Sequence, residues 1–328
     1  WHADADATER VAARTRALCG AQSVDVLAGG HLLVQRAGAD RKLPVLHRLV
    51  ARPDSVLVAH RAERRAVVRV HGPHYVKVVR PERTADVVAP LRQVRADGLR
   101  VPRVLDADER RGLVTLSEVA GPTLLERLAD RTLDDEELAT DAKRVGVAVR
   151  ALHEHPAGPA REVHGPDAEV ASARRWLDAA SEHGLLDPSA WRDRLDDVAA
   201  RLPAVPDEPA LLHRDLHDKQ LVLQPDEPVG LLDLDLAAYG DPALDLSNLL
   251  VHLDLRARQG LCTEARAAQC SLSLLEGYSP DAALLRRLPA YAAGTRLRLA
   301  GVYSFRAAPA GLVDELIRKV DEVGSSWL

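Results

Sequence analysis

The sequence predicts an α+β protein in two lobes, a small antiparallel-sheet lobe followed by a larger, mainly helical one. Three observations carry this. Valine-rich segments with period-two alternation occupy much of the stretch from about 31 to 116. From Gly121 onward apolar residues recur at three- and four-residue intervals. Within that helical part lies a polar run, Leu212-His213-Arg214-Asp215-Leu216-His217-Asp218-Lys219-Gln220, followed by a short apolar strand that ends in Asp233.

The elements follow in order. Residues 8–19 read as a short helix. His31–Gln35 is a candidate strand; Ser55–Ala59, Ala66–Val70 and Tyr75–Val79 are stronger ones, the last two joined as a hairpin by His71-Gly72-Pro73. Residues 82–96 read as a helix that Pro90 kinks or divides, because proline lacks the N–H the helix needs. Val101–Leu105 and Leu113–Leu116 read as two further strands. Helices are expected at 123–130, 134–154, 170–182 and 188–202, with a Pro- and Gly-containing loop at 155–168 and a turn at His164-Gly165-Pro166. After the polar run, 243–258, 262–276, 281–306 and 309–322 are helical. The lobes are expected to divide as 1–118 and 119–328, at Ser117-Glu118-Val119-Ala120.

The chain has 328 residues, 46% hydrophobic and 28% charged, with a formal net charge of -5. That is an ordinary globular composition, and its mild acidity favours neither a nucleic-acid nor an anionic-membrane partner. No apolar stretch reaches the roughly 18–20 residues of a membrane span. The opening Trp1-His2-Ala3-Asp4 lacks a basic region followed by an apolar one, so no secretory signal is expected. Without an initiator methionine, the numbering is expected to begin inside the gene product. Cys19, Cys262 and Cys270 are scattered and odd in number, which fits a reducing cytoplasm rather than a disulfide framework or zinc cluster. One Ile, one Phe, one Asn, no Met and five Lys against 39 Arg mark a GC-rich coding bias. Under that bias a retained Lys is informative.

The polar run carries the chemistry. Asp215 follows the apolar pair Leu211-Leu212 and could accept or orient the proton of an attacking hydroxyl. Gln220, five residues on, offers an amide oxygen to magnesium, and Asp233 offers a carboxylate to bridge magnesium and nucleotide phosphates. As isolated loop acids these residues would mean little; at fixed spacing they describe transfer of a nucleotide's terminal phosphoryl group to a hydroxyl.

The string resembles the aminoglycoside phosphotransferase family, a branch of the protein-kinase-like fold that includes choline kinases and maltokinases. The residues are His213-Arg214-Asp215-Leu216-His217, Gln220, Asp233, Gly240-Asp241-Pro242 and Asp245-Leu246. The match is strong over about 211–250 and holds in outline over about 55–328. The resemblance implies a two-lobed kinase-like fold with nucleotide bound in the cleft between lobes. It implies Asp215 as catalytic base, Gln220 and Asp233 as magnesium ligands, Asp235 as an assisting acid, and Asp245 as a buried carboxylate bonded to the catalytic-loop backbone. Lys77, mid-strand and opposite in face to Val76 and Val78, corresponds to the family's phosphate-contacting lysine; Glu82 and Asp86 are the available helix acids, Asp86 preferred. Ser117, Glu118 and Val119 resemble the hinge whose backbone meets the nucleotide base.

Three positions depart from the family pattern. The connection Arg61-Ala62-Glu63-Arg64-Arg65 contains no glycine, so a backbone cradle over phosphate is not evident. Gln220 replaces the commoner Asn, and Arg214 replaces Gly. The expected activity is transfer from ATP or GTP, with Mg2+, to a hydroxyl of an antibiotic, sugar or amino alcohol. The alternatives are an impaired kinase-like binding protein and a kinase acting on Ser or Thr of a peptide. Acceptor contacts are expected around 160–185 and 250–310, where Asp254 and Glu276 would suit a cation or simply be solvated. A non-haem iron site at His213-Arg214-Asp215, an aspartyl-phosphate site at Asp233-Leu234-Asp235 and zinc on His213 and His217 lack the surrounding elements each requires.

Overall fold

The computed structural model describes residues 4–94, 98–156 and 162–322. The opening Trp1-His2-Ala3, the end of the helix expected to reach 96 and part of the loop expected at 155–168 lie outside the described residues. The chain forms two compact units, Trp1–Gln93 with Pro102–Val119, and Val94–Val101 with Ala120–Leu328.

The first unit opens with helix α1 (Ala5–Cys19), the hairpin β1 (Val24–Leu27) and β2 (Leu32–Gln35), and the short helix α2 (Leu46–Val50). The strand-rich pattern of this region concealed α2. It presents Leu46 and Leu49 at three-residue spacing, and both are buried. Strands β3 (Val56–Arg61), β4 (Arg65–Val70) and β5 (His74–Val79) follow as antiparallel hairpins. Helix α3 (Thr84–Gln93) contains Pro90 yet remains one helix. The missing N–H removes a single bond, to the carbonyl of Asp86. Burial of Val87, Val88, Pro90 and Leu91 offsets that loss.

The two-residue strand β6 (Leu99–Arg100) belongs to the second unit. The chain returns to the first unit as β7 (Val104–Asp108) and β8 (Leu113–Ser117), completing an antiparallel sheet in the order β3-β4-β5-β8-β7. The strand expected at 101–105 starts later, at Val104, because Pro102 cannot donate to a ladder. On one sheet face Ala66, Val68, Val76 and Val78 pack onto Leu43, Leu46 and Leu49. Lys77 pairs in register with Val67 and Val114, so these three share the other face.

The second unit is mainly helical: α4 (Leu124–Ala129), α5 (Asp135–His153), strand β9 (Val163–His164), α6 (Pro166–Glu182) and α7 (Arg192–Arg201). Helix α6 starts earlier than its periodicity suggests, with Pro166 in the first turn, where its missing N–H costs nothing. Short strands β10 (Ala210–Leu212), β11 (Leu221–Val222), β12 (Val229–Leu231) and β13 (Ala238–Gly240) frame the motif loops. They join two small sheets, β11-β12-β6 and β10-β13-β9. Helices α8 (Ala243–Arg258), α9 (Glu264–Tyr278), α10 (Ala282–Tyr303) and α11 (Leu312–Asp321) complete the unit. Side-chain caps mark the starts of two of them, Thr263 on Arg266 N–H at α9 and Asp281 on Leu284 N–H at α10.

Helices α5 and α9 cross at unusually short range. A Cβ added at Gly146 would lie 2.1 Å from the Leu274 carbonyl oxygen, and one at Gly277 2.0 Å from that of Lys143. Only glycine allows this approach, and it brings His153 of α5 to Tyr278 of α9, with Nδ1 2.9 Å from the hydroxyl. Gly277→Ala is therefore expected to cost about 1–3 kcal/mol. Urea unfolding checks it; an unchanged midpoint would show that the crossing relaxes freely.

Candidate active site

The loop after β10 is built around one buried carboxylate. Asp245, in the first turn of α8 and fully buried, accepts from the backbone N–H of His213 at 2.6 Å and of Arg214 at 2.8 Å. His153 Nε2 adds a third contact at 3.3 Å, and its Nδ1 then accepts from the Tyr278 hydroxyl. Burial by itself would raise the Asp245 carboxyl. The His153 hydrogen bond, the neighbouring His153 and His213 and the His213 N–H outweigh it and hold the group below the usual carboxylate range.

Further along the same face of α8, Asn248 donates from Nδ2 to the Leu216 carbonyl at 2.6 Å, and Arg298 in turn donates to its Oδ1 at 2.5 Å. Asn248 is the only asparagine in the chain. Its survival against the coding bias, three residues after Asp245, was the sequence signal for this role.

His213 links the two motif loops. Its Nε2 donates to the Leu232 carbonyl at 2.7 Å and its Nδ1 accepts from Asp215 N–H at 3.3 Å, which a single tautomer satisfies. A second link is the Leu232 N–H to the Gln220 carbonyl, 2.9 Å. The backbone at Gln220 and the residue before Asp233 are thus held side by side. Arg214 has φ 70°, the left-handed region, which explains why a glycine suits this position. Its guanidinium reaches the Leu236 carbonyl at 3.3 Å. Burial lowers the Arg214 guanidinium from its ordinary value, against the opposing charges of Glu169 and Glu162.

Asp215 is half-buried at the bend of this loop, and Gln220 closes the following 3-10 turn, Asp218–Gln220. The Gln220 amide nitrogen lies 3.5 Å from His217 Nε2. Asp233 has φ 59° and ψ 51°, a left-handed conformation that Asp tolerates, and Asp235 lies in the next turn, Leu234–Leu236. One carboxylate and one amide are hard oxygen donors. No group of three His, Cys, Asp or Glu side chains suited to a metal exists among the described residues. This donor set fits magnesium, which takes few protein ligands and completes its shell with water and phosphate oxygens.

In the sheet unit, Lys77 is buried mid-β5 at 6% exposure. Asp86 pairs with Arg83 at 2.9 Å and Glu82 with Arg80 at 3.5 Å, so both helix acids meet arginines of their own segment. Ser117 ends β8, its hydroxyl accepting from Arg103 N–H at 2.9 Å. Glu118 N–H donates to the Pro73 carbonyl at 2.8 Å, and the Tyr75 hydroxyl lies 3.4 Å from the Glu118 carboxylate. The glycine-free turn after β3 is tied down. Buried Asp40 accepts from the N–H groups of Lys42, Leu43 and Glu63 and contacts His60 Nε2 at 3.0 Å, while the Glu63 carboxylate grips Arg41 and Lys42. Asp254 is engaged by Lys319 at 3.1 Å and Arg258 at 3.3 Å, and Glu276 by Lys143 at 2.8 Å.

A family model described as the phosphotransferase enzyme family (APH) matches residues 49–288. The chain belongs to that family. Among solved structures, this phosphotransferase is similar to ADP-bound aminoglycoside phosphotransferase APH(2'')-Ib, with 13% identity and TM-score 0.55 over 85% of this chain and 96% of that one. The streptomycin–ATP complex of APH(2'')-IIa gives 12% identity and 0.55 over 84% and 94%. A choline/ethanolamine kinase family protein from Mesorhizobium loti gives 18% and 0.53 over 84% and 92%. The likenesses establish a kinase-like fold with a small antiparallel sheet and a larger helical region. No curated protein matches the chain. No helix among the described residues is long and apolar enough to cross a membrane.

His217 of the loop meets His252 of α8 with the rings tilted by 41° and their centroids 5.1 Å apart. Burial, then the neighbouring His217, Arg256, Arg298 and Lys219, pushes His252 well below its ordinary value. Burial also lowers His217, against the charges of Asp215 and Asp218. A histidine lowered in the fold protonates first in the unfolded chain. Its contribution is therefore complete above pH about 6.5 and is lost as pH falls toward the folded value. One such group adds at most about 1.4 kcal/mol per pH unit to the slope. His252→Asn keeps an acceptor for Arg256 and removes the titrating ring. Its unfolding free energy, measured between pH 7 and 5, is expected to fall less steeply than the parent's; parallel curves would exclude His252 as a source of the slope.

Proposed function

We propose that this phosphotransferase moves the terminal phosphoryl group of ATP or GTP to a hydroxyl of a small molecule, of the antibiotic, sugar or amino-alcohol kind. The observation that supports this most is the immobilised loop: Asp245 and Asn248 fix the backbone on both sides of Asp215, whose side chain stays half-buried. Phosphoryl transfer asks little covalent chemistry of a protein and much positioning.

In this reading Asp215 accepts the hydroxyl proton as the acceptor oxygen bonds to the terminal phosphorus and the bond to the nucleoside diphosphate breaks. Gln220 and Asp233 hold Mg2+, with Asp235 as an assisting acid. When bound, the ion supplies neutralisation of phosphate charge. Lys77 contacts the donor phosphates, and Asp86, on the helix that follows, is the acid assigned to pair with it. The backbone of Ser117, Glu118 and Val119 meets the base; with Glu118 N–H given to Pro73, the Val119 N–H and Glu118 carbonyl carry that role. Residues 1–118 would then cover the nucleotide and 119–328 supply catalysis and acceptor contacts, in the cytoplasm. Asp254 and Glu276, each held by basic side chains, are poor receptors for a cationic acceptor.

Asp215→Ala is expected to reduce Mg2+-dependent phosphoryl transfer, or the slow hydrolysis of ATP or GTP that accompanies it, by at least about a hundredfold, the usual worth of a positioned base. The assay is release of nucleoside diphosphate with and without a panel of alcohols, and retention of parental turnover would remove Asp215 from the reaction. Lys77→Ala is expected to weaken nucleotide binding about tenfold or more, as loss of a charge-assisted phosphate contact should. Calorimetric titration with ATP and GTP measures this, and parental affinity would take Lys77 out of the site.

A further inference from the structure

Helix α8 offers one continuous face to the motif loop: Asp245, Asn248, His252 and Arg256 follow at intervals of three and four. Asp245 and Asn248 serve the first half of the loop. The second half is held by an ion pair that the motif does not announce. Arg256 Nε donates to Asp218 Oδ2 at 2.6 Å and Nη2 to Oδ1 at 2.8 Å, fork on fork. Asp218 is 0% exposed and Arg256 4%. The remaining guanidinium nitrogen, Nη1, donates to Gln259 Oε1 at 2.7 Å, and Gln259 Nε2 donates to the Tyr303 hydroxyl at 2.9 Å. His252 Nδ1 lies 3.4 Å from Nη2.

A pair this deeply buried is a poor device for stability, since removing two ions from water costs about as much as their attraction returns. An apolar pair of equal volume would fill the space. What the charges add is geometry, because a bidentate guanidinium–carboxylate pair fixes distance and plane together. Asp218 opens the three-residue turn that Gln220 closes, and Gln220 N–H bonds the His217 carbonyl across it at 2.9 Å. Fixing Asp218 therefore fixes the backbone that carries the Gln220 amide.

We propose that Asp218 and Arg256 are positioning residues that set the Gln220 amide for the divalent cation accompanying the donor nucleotide. This rests on the reading of Gln220 as a metal ligand. The pair itself touches neither substrate nor cation. It acts through the turn, as outer-shell partners of metal ligands generally do.

The test uses Mn2+ as probe, titrated into the full chain with a non-hydrolysable ATP analogue and followed by electron paramagnetic resonance. Three variants are compared with the parent. Gln220→Ala removes the ligand. Asp218→Leu with Arg256→Met removes both charges at similar volume. Arg256→Lys keeps the charge and loses the fork. Gln220→Ala and the double variant are expected to weaken Mn2+ binding about tenfold or more, with Arg256→Lys between them and the parent. Nucleotide affinity in the presence of chelator, and the thermal midpoint of the double variant, should stay close to the parent's, a split that a merely structural pair would not give. Parental Mn2+ affinity in the folded double variant, with Gln220→Ala weakened, overturns the positioning role alone. If the double variant does not fold, parental Mn2+ affinity in Arg256→Lys overturns it instead. If Gln220→Ala binds Mn2+ like the parent, or the parent binds none, the ligand assignment fails and the positioning role falls with it.

Discussion

A carboxylate with no access to water must find donors, and Asp245 finds them in the backbone of the motif loop. Its two oxygens take the N–H groups of His213 and Arg214, and one of them also meets His153. Stripping these partners would leave a buried charge, an arrangement that costs several kcal/mol. The loop therefore cannot drift from the start of α8 without exposing that cost. The same carboxylate recruits α5 through His153 and α9 through Tyr278, and the glycine crossing of those helices makes their meeting feasible. Three helices and one loop are organised around a single buried charge.

The loop's own conformation shows what is traded for this. Arg214 and Asp233 both sit in the left-handed region, which costs a side-chain-bearing residue about 1–2 kcal/mol. At Arg214 this turn lets two successive N–H groups face the same carboxylate. His213 then ties the two strained places together, bonding the residue before Asp233 and the N–H of Asp215 with one ring. Strain of this kind persists only where neighbouring bonds over-determine it, and His213 and Asp245 supply those bonds here.

The sheet unit solves a different problem. A turn without glycine follows β3, and Glu63 occupies a left-handed conformation within it. Buried Asp40 accepts the Glu63 N–H while the Glu63 carboxylate neutralises Arg41 and Lys42. Two basic side chains, Arg41 and Lys42, are thereby drawn into the structure of the turn. The sequence shows the arginines and the missing glycine; only the fold shows that a segment twenty residues earlier holds the turn in place.

The sequence alone determined the class of fold, most helix positions, and the identity of the motif residues Asp215, Gln220, Asp233 and Asp245. These are contiguous or regularly spaced, and periodicity and motif spacing are local properties of a chain. The short helix α2, the later start of β7 and the unbroken α3 were decided by burial and pairing, which outweigh local propensity. The partners of the motif were likewise settled only in three dimensions. His153, Tyr278, Arg256 and Arg298 lie dozens of residues from the loop and carry no mark in sequence, because a buried charge is satisfied by whatever donor the packing delivers. Asn248 stands between the two cases: its rarity was visible, but its bond to Leu216 depends on which face of α8 turns toward the loop.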